Sequence, residues 1–491
     1  MKYVILLSFL ILSLPSSYAQ VESQAKQVVS ENQQTTKSIK GFWFGVIDAG
    51  PIKIRVGMKI SPSATDTPSV YSGTLDVIDQ NLNDLRIDVL SLQQNNLHFE
   101  LKGFGASFDG FLTEDEQIKG EWKQAGRSFP LTFKKLDKPF TLNRPQNPQK
   151  PYPYKEETVV YENKKAGIKL AGTLTLPDNQ GPHPVAIMIT GSGPQNRNEE
   201  LFQHKPFLVI ADYLTRRGIA VLRYDDRGVG ESTGNFPKAT TEDFAEDVLA
   251  GIDYLKSRKD IDAKQIGLIG HSEGGIVAPM VATRSSDVAF IVLLAGPGMV
   301  GRDLLMLQGE LITRAEGTKE ETVKKLGAYQ KRIYDLILKE TDKAATEKAI
   351  REEIKKLLES LSEDERKVAN ISESTLSMQL NMLTSDWFRG LIAYDPSVAL
   401  KQIKCPVLAL NGEKDIQVPA KENLKAIDEA LKAGGNKDYK IVTLSGLNHL
   451  FQSCETGQIA EYGFIEETFS PKALEEIGNW LDGHVKKLAK Q

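Results

Sequence analysis

The chain has 491 residues, 40% of them hydrophobic and 26% charged, with 61 basic against 65 acidic residues and a formal net charge of −4. That length suggests about three structural units and a sizeable buried core, and the ordinary globular composition excludes a wholly disordered, collagen-like or disulfide-scaffold protein. There is no basic excess to attract nucleic acid, and two cysteines with six histidines are too few for a Cys/His zinc cluster.

Lys2 opens the chain with a positive charge. Residues 3–14 form an apolar run, Pro15 breaks it, and Ser17-Tyr18-Ala19 fits a small-x-small cleavage site. Residues 1–19 therefore read as a signal peptide, with the mature chain starting at Gln20. The run is too short for a comfortable membrane span, and no later stretch reaches about 18 apolar residues. The expectation is an exported protein, periplasmic or secreted, with no stable membrane insertion. Residues 20–37 are polar and read as a flexible leader.

Short β segments follow at 42–46, 53–58, 70–75, 85–89, 97–101, 107–112, 118–122 and 129–133, separated by turns rich in Gly, Asn, Asp and Pro. Strands spaced at about 10 to 12 residues predict an antiparallel β sandwich or barrel over 38–136. Pro139, Pro145, Pro148, Pro151 and Pro153 then mark 137–153 as an extended linker.

From residue 154 strands and helices alternate. Continuous apolar runs at 185–190, 220–223, 266–269, 289–294 and 407–410 suit strands covered on both faces, as in a parallel sheet flanked by helices. Helical patterns lie between them, one opened by a capping box of Thr240 and Asp243. Between 294 and 407 the alternation stops. Residues at about 300–395 are rich in Glu, Lys, Leu and Ala at helical spacing. An insertion that leaves and re-enters a sheet near its strand ends suits a cap over a ligand site.

Gly270-His271-Ser272-Glu273-Gly274 matches G-x-S-x-G directly after an apolar strand and before a helix. A turn this tight strains its central residue and pushes the serine oxygen clear of the sheet. With this motif in its strand–turn–helix setting, residues 154–491 resemble the α/β-hydrolase superfamily, in the branch of secreted bacterial esterases and serine-aminopeptidase-like hydrolases. The resemblance implies an α/β fold: an α/β-hydrolase core with a helical cap insertion, preceded here by the small antiparallel β domain. It also implies an acid after a late strand and a histidine after the last one. Gly412-Glu413-Lys414-Asp415 follows the late strand and Ser445-Gly446-Leu447-Asn448-His449 the last. The implied triad is Ser272 as nucleophile, Asp415 as acid and His449 as base, in the superfamily's chain order. Glu413 competes with Asp415 for the acid's role.

The resemblance further implies an oxyanion hole from the backbone N–H of Glu273 and that of Ser192 or Gly193, in the loop Gly191-Ser192-Gly193-Pro194. Residues 224–232 resemble the family's D-x-R-G-x-G-x-S loop, whose Arg227 reads as structural. Gln195, Asn196 and Arg197 are candidates to line the pocket. Trp387, Phe388 and Tyr394 are candidates for its apolar wall, with aromatic core as the alternative for each. Cys405 and Cys454 are expected to be free thiols. The expected activity is that of a serine carboxylesterase acting on small or medium acyl esters through an acyl-enzyme. A serine peptidase or amidase is the alternative, and a non-catalytic binding module on a hydrolase fold is the second alternative. No metal and no organic cofactor are implied. The expected partner is a small-molecule ester substrate rather than nucleic acid, and a homodimer is left open.

Overall fold

The structure is a computed structural model that describes residues 38–48, 53–62, 71–80, 82–124, 126–178, 180–363, 365–366 and 379–488. The expected signal peptide and leader lie outside these residues. The described chain divides between Asn143 and Arg144 into two compact units.

In the first unit the strands alternate buried and exposed residues, as one-sided sheets do. They are β1 (Gly41–Asp48), β2 (Lys53–Pro62), β3 (Tyr71–Val77), β4 (Leu82–Arg86), β5 (Val89–Gln93), β6 (Asn96–Leu101), β7 (Ala106–Leu112), β8 (Gln117–Gln124) and β9 (Arg127–Leu136). They form one antiparallel sheet in the order β4-β3-β2-β1-β9-β8-β7-β6-β5. β4 and β5 stand at opposite ends of that order, yet only Ile87 and Asp88 separate them in the chain. A connection this short brings the edges together, and the sheet curls into a barrel-like form. Where the sequence suggests one strand at 85–89, the chain breaks into two. Ile87 is buried and donates its N–H to the Gly73 carbonyl, and the Asp88 carboxylate accepts the Lys102 N–H. Trp43, Phe99, Phe108, Trp122 and Phe133 fill the interior.

The second unit begins with Arg144, whose guanidinium donates to the carbonyls of Phe202, Gly463 and Ile465. Gln146 and Asn147 also bond to this unit, at Phe469 and Gln203. The latter part of the Pro-rich stretch is therefore fastened to the hydrolase unit instead of spanning free space.

Its strands are β10 (Lys155–Asn163), β11 (Ile168–Leu176), β12 (His183–Ile189), β13 (Ala220–Tyr224), β14 (Ile261–His271), β15 (Val288–Leu294), β16 (Val407–Gly412) and β17 (Tyr439–Leu444). The sheet order is β10-β11-β13-β12-β14-β15-β16-β17, parallel from β13 onward. This is the α/β-hydrolase architecture. The antiparallel pair β10 and β11 escapes the sequence reading, because polar residues alternate along its outer strand.

Helices α1 (Pro206–Arg216), α2 (Thr241–Lys256) and α3 (Gly274–Ala282) connect the early strands. The capping box on α2 is formed as the sequence suggests, with Thr240 and Asp243 bonding each other's backbone. Between β15 and β16 lie α4 (Gly301–Ala315), α5 (Glu320–Lys339), α6 (Lys343–Ser360), α7 (Asp386–Ala393) and α8 (Pro396–Leu400). Leu326, Ile333, Ile337, Ile350 and Phe388 from this insertion join the apolar cluster that covers one face of the sheet. α9 (Ala420–Ala433) and α10 (Pro471–Leu488) complete the unit. Trp480 and Leu481 of α10 join the cluster on the opposite face. Among the described residues no helix is long and apolar enough to cross a membrane.

Candidate active site

Strand order places the site. After β12 the chain turns to one side to form β13, then returns to the other side to form β14. Loops leaving the carboxyl ends of β12 and β14 therefore part, and the crevice between them is where open α/β sheets bind ligands.

Ser272 stands at the end of β14 with φ of 51°, a left-handed conformation that costs a non-glycine residue energy. Its N–H is held by the Leu294 carbonyl of β15 at 2.9 Å. Two glycines permit this elbow. A Cβ on Gly270 would lie 2.0 Å from the Gly274 carbonyl oxygen, and one on Gly274 would lie 2.2 Å from that of Ile189. α3 starts at Gly274, so the Glu273 N–H belongs to the unpaired donors of its N-terminus.

Asp415 and His449 follow the neighbouring strands β16 and β17, and a 2.7 Å hydrogen bond joins Asp415 Oδ2 to His449 Nδ1. Both side chains are buried. The other carboxylate oxygen, Oδ1, accepts the N–H groups of Gln417 and Val418. Glu413 does not reach the histidine. It is spent on the Ser445 hydroxyl and the Gly446 N–H. Among the described residues no hydrogen bond joins Ser272 Oγ to His449, and such bonds are commonly long before substrate binds.

The loop after β12 passes the serine closely, for a Cβ on Gly191 would lie 3.2 Å from that of Ser272. Two buried carboxylates brace it. Glu199 accepts the Gly191 N–H at 2.7 Å. Asp226 accepts the Thr190 hydroxyl and the Gln195 N–H, each at 2.8 Å. Burial pushes the Asp226 carboxyl well above its usual range, against those hydrogen bonds. Gly193 has φ of 94°, which suits glycine. Glu199 and Asp226 escape the sequence reading. Asp226 lies in the D-x-R-G loop, which was the available signal, whereas Glu199 carries none.

The Glu273 side chain is 3% exposed. Its Oε1 accepts the Thr241 hydroxyl at 2.6 Å and the Trp387 indole N–H at 2.9 Å. Burial raises its carboxyl above the usual carboxylate range, while Thr241, Trp387 and the nearby Ser192 side chain act in the opposite sense. Oε2 makes no full hydrogen bond among the described residues. Trp387 thus brings the cap to the residue beside Ser272.

The other pocket candidates fall elsewhere. Phe388 is 1% exposed and packs edge-on against Tyr334, so it is cap core rather than an exposed wall. Tyr394 is half-buried among the charges of Glu242 and Arg284. Gln195 holds Asp226 through its backbone while its amide bonds the Ser192 carbonyl. Asn196 caps its own loop at Asn198 and Glu200. Arg197 binds Asp225, Glu231 and Thr173. The Gln195 and Asn196 side chains are thus taken up by the backbone of their own loop, and that of Arg197 by neighbouring side chains. Arg227 is pinned to Asp243 and Asp247 on α2, a structural arrangement. Cys405 and Cys454 are free thiols. Among the described residues no cluster of His, Cys, Asp and Glu is arranged to hold a metal ion.

A family profile described as "Serine aminopeptidase, S33" matches residues 205–453. Esterase EstD of Thermotoga maritima is 26% identical over 313 residues, which span 64% of this chain and 65% of the esterase's own length. Among solved structures, the α/β hydrolase GrgF from Penicillium sp. sh18 aligns at 17% identity with a TM-score of 0.44, over 68% of this chain and 99% of that one. A Pyrococcus furiosus esterase aligns at 16% identity with a TM-score of 0.43, over 70% of this chain and 97% of that one.

Proposed function

The chain belongs to the serine aminopeptidase S33 family, and we propose that it is a serine hydrolase that cleaves carboxylic esters of small or medium acyl groups through an acyl-enzyme. The observation that carries this reading is the 2.7 Å bond between Asp415 and His449, in loops that follow β16 and β17 of the same sheet whose β14 leads into the strained Ser272. The similar Thermotoga protein is named an esterase, which supports an ester substrate.

A serine hydroxyl is a weak nucleophile until a base takes its proton. Ser272 Oγ attacks the ester carbonyl while His449 Nε2 accepts that proton. Asp415 keeps the proton on Nδ1 and stabilises the imidazolium that forms. The oxyanion is received by the Glu273 N–H and by Ser192 or Gly193 from the opposite loop. His449 then returns its proton to the departing alcohol. A water, deprotonated by the same nitrogen, hydrolyses the acyl-enzyme.

A fluorophosphonate probe is expected to label Ser272, and Ser272→Ala to abolish turnover of p-nitrophenyl acetate with the fold intact. A protein that neither takes the label nor turns over the ester favours a binding module, and an active Ser272→Ala variant rejects Ser272 as the nucleophile.

One observation favours a second reading, an amidase or aminopeptidase. The matching family profile is described as a serine aminopeptidase, and Glu273, beside the nucleophile, keeps a carboxyl oxygen with no full hydrogen bond near the Ser192 side chain, toward which a substrate ammonium group would be drawn. Comparing p-nitrophenyl esters with aminoacyl nitroanilides separates the two. Faster nitroanilide turnover, lost in Glu273→Gln, selects the second.

A further inference from the structure

Two buried histidine–carboxylate pairs lie side by side in this unit. One is His449 with Asp415. The other is His271 with Glu199, where Nδ1 stands 2.9 Å from Glu199 Oε1. The two imidazole rings are 4.8 Å apart, inclined by 44°, and Phe451 meets His271 edge-on at 6.5 Å. The other nitrogen of His271, Nε2, lies 3.1 Å from the backbone carbonyl of His449.

The hydrogen inventory is restrictive. A carbonyl oxygen only accepts, so Nε2 must carry a proton and donate it to His449. Glu199 Oε1 meanwhile accepts the Gly191 N–H. One side chain in the nucleophile elbow therefore joins the loop of the base to the loop of the oxyanion hole. Burial opposes a charged His271. The Glu199 charge and hydrogen bond, the His449 carbonyl and the Asp415 charge outweigh it and hold the ring above its ordinary range.

We propose that His271 is a positioning residue for hydrolysis: its Nε2–H fixes the backbone of His449, and Glu199 orients the ring that does so. The proposal rests on the reading of Ser272, Asp415 and His449 as the triad. A bond to the base's own main chain governs where Nε2 of His449 stands relative to the serine. Its loss is felt in the chemical step, not in substrate binding.

Two amides separate this role from simple packing. A glutamine at 271 places its side-chain nitrogen near the position of Nε2 and can still donate to His449. An asparagine reaches only as far as Nδ1, so it keeps Glu199 and abandons the His449 carbonyl. With p-nitrophenyl acetate, His271→Asn is expected to lower kcat about 100-fold at nearly unchanged KM, the scale of a misplaced catalytic group. His271→Gln is expected to restore most of kcat. Equal kcat in the two variants, a better rate in the asparagine variant, or a loss confined to KM overturns the proposal. If His271→Asn does not fold, Glu199→Gln serves instead. A single amide oxygen facing both Gly191 and His271 leaves the ring without its counter-charge, so kcat should again fall at constant KM, and an unchanged kcat overturns the proposal. Ser272→Ala runs in the same assay. Turnover by that variant rejects the triad, whereas an inert Ser272→Ala beside equal His271 variants rejects only the positioning role.

Discussion

Asp415 shows how much one side chain has to satisfy. Its Oδ1 faces two backbone N–H groups and its Oδ2 faces His449 Nδ1. An asparagine must turn its oxygen to the two N–H groups, since its nitrogen cannot accept from them. The amide nitrogen then meets Nδ1 and forces His449 into the tautomer that carries its proton on Nε2. That ring cannot take a proton from Ser272. Asp415→Asn is therefore expected to fold normally and to lose on the order of 10⁴-fold in kcat, as steady-state kinetics on p-nitrophenyl acetate would show. A loss below tenfold would mean that the histidine is not oriented through this oxygen. Of the six histidines, His449 alone is hydrogen-bonded to Asp415 among the described residues, and others are bonded elsewhere. His204, for example, is buried against Thr468 and the Tyr462 carbonyl. Chain position after the last strand singled out His449 only together with the elbow and acid motifs of the family it resembles. The work of His271 was not legible, because its partner Glu199 lies 72 residues away and carries no motif.

At the scale of an element, the turn from β14 into α3 has no room for side chains. The Gly274 Cα meets the Ile189 carbonyl of β12 so closely that a methyl group must displace backbone, not a flexible side chain. Gly274→Ala is expected to cost about 1–3 kcal/mol of stability through overpacking, measured by denaturant unfolding, and to slow labelling of Ser272. An unchanged midpoint would show that the turn relaxes. The sequence displayed this requirement as paired glycines flanking the serine. It displayed the capping of α2 equally well, since both are local. The site contact made by Trp387 was suggested by its place at the end of the insertion, but the specific partner, Glu273, was not. Phe388, one residue on, packs instead against Tyr334 in the core. Neighbouring positions on a helix face different directions, and only packing decides which faces the site.

At the scale of the molecule, the two units have separate apolar cores. Trp43, Phe108 and their neighbours fill one, and the sheet residues of the α/β-hydrolase unit fill the others. Every candidate catalytic group belongs to the second unit. A chain beginning at Arg144 is therefore expected to fold cooperatively and to retain turnover of p-nitrophenyl acetate, tested by calorimetry and by the same assay. Loss of turnover by such a folded chain would assign the β unit a part in the small-ester reaction itself. The division at Asn143 and Arg144 falls inside the Pro-rich stretch 137–153, but the fastening of its latter part was not legible. The prolines indicate an extended stretch, and the carbonyls that Arg144 binds lie about 60 and 320 residues further along.

The sequence by itself determined the alternation of the parallel strands with helices, the elbow with its glycines and the cap's position in the chain, and the family resemblance added the serine, aspartate and histidine of the implied triad. The first three follow from local periodicity or from a turn too tight for a side chain. The tertiary structure alone decided that Glu413 is held by Ser445 and Gly446, that Glu199 and Asp226 brace the oxyanion loop, that the short link between β4 and β5 draws the sheet edges toward each other, and that Trp387 touches Glu273. Those outcomes depend on hydrogen bonds between segments far apart in the chain. A buried polar group takes whatever partner the fold brings within about 3 Å, and sequence spacing does not encode that distance.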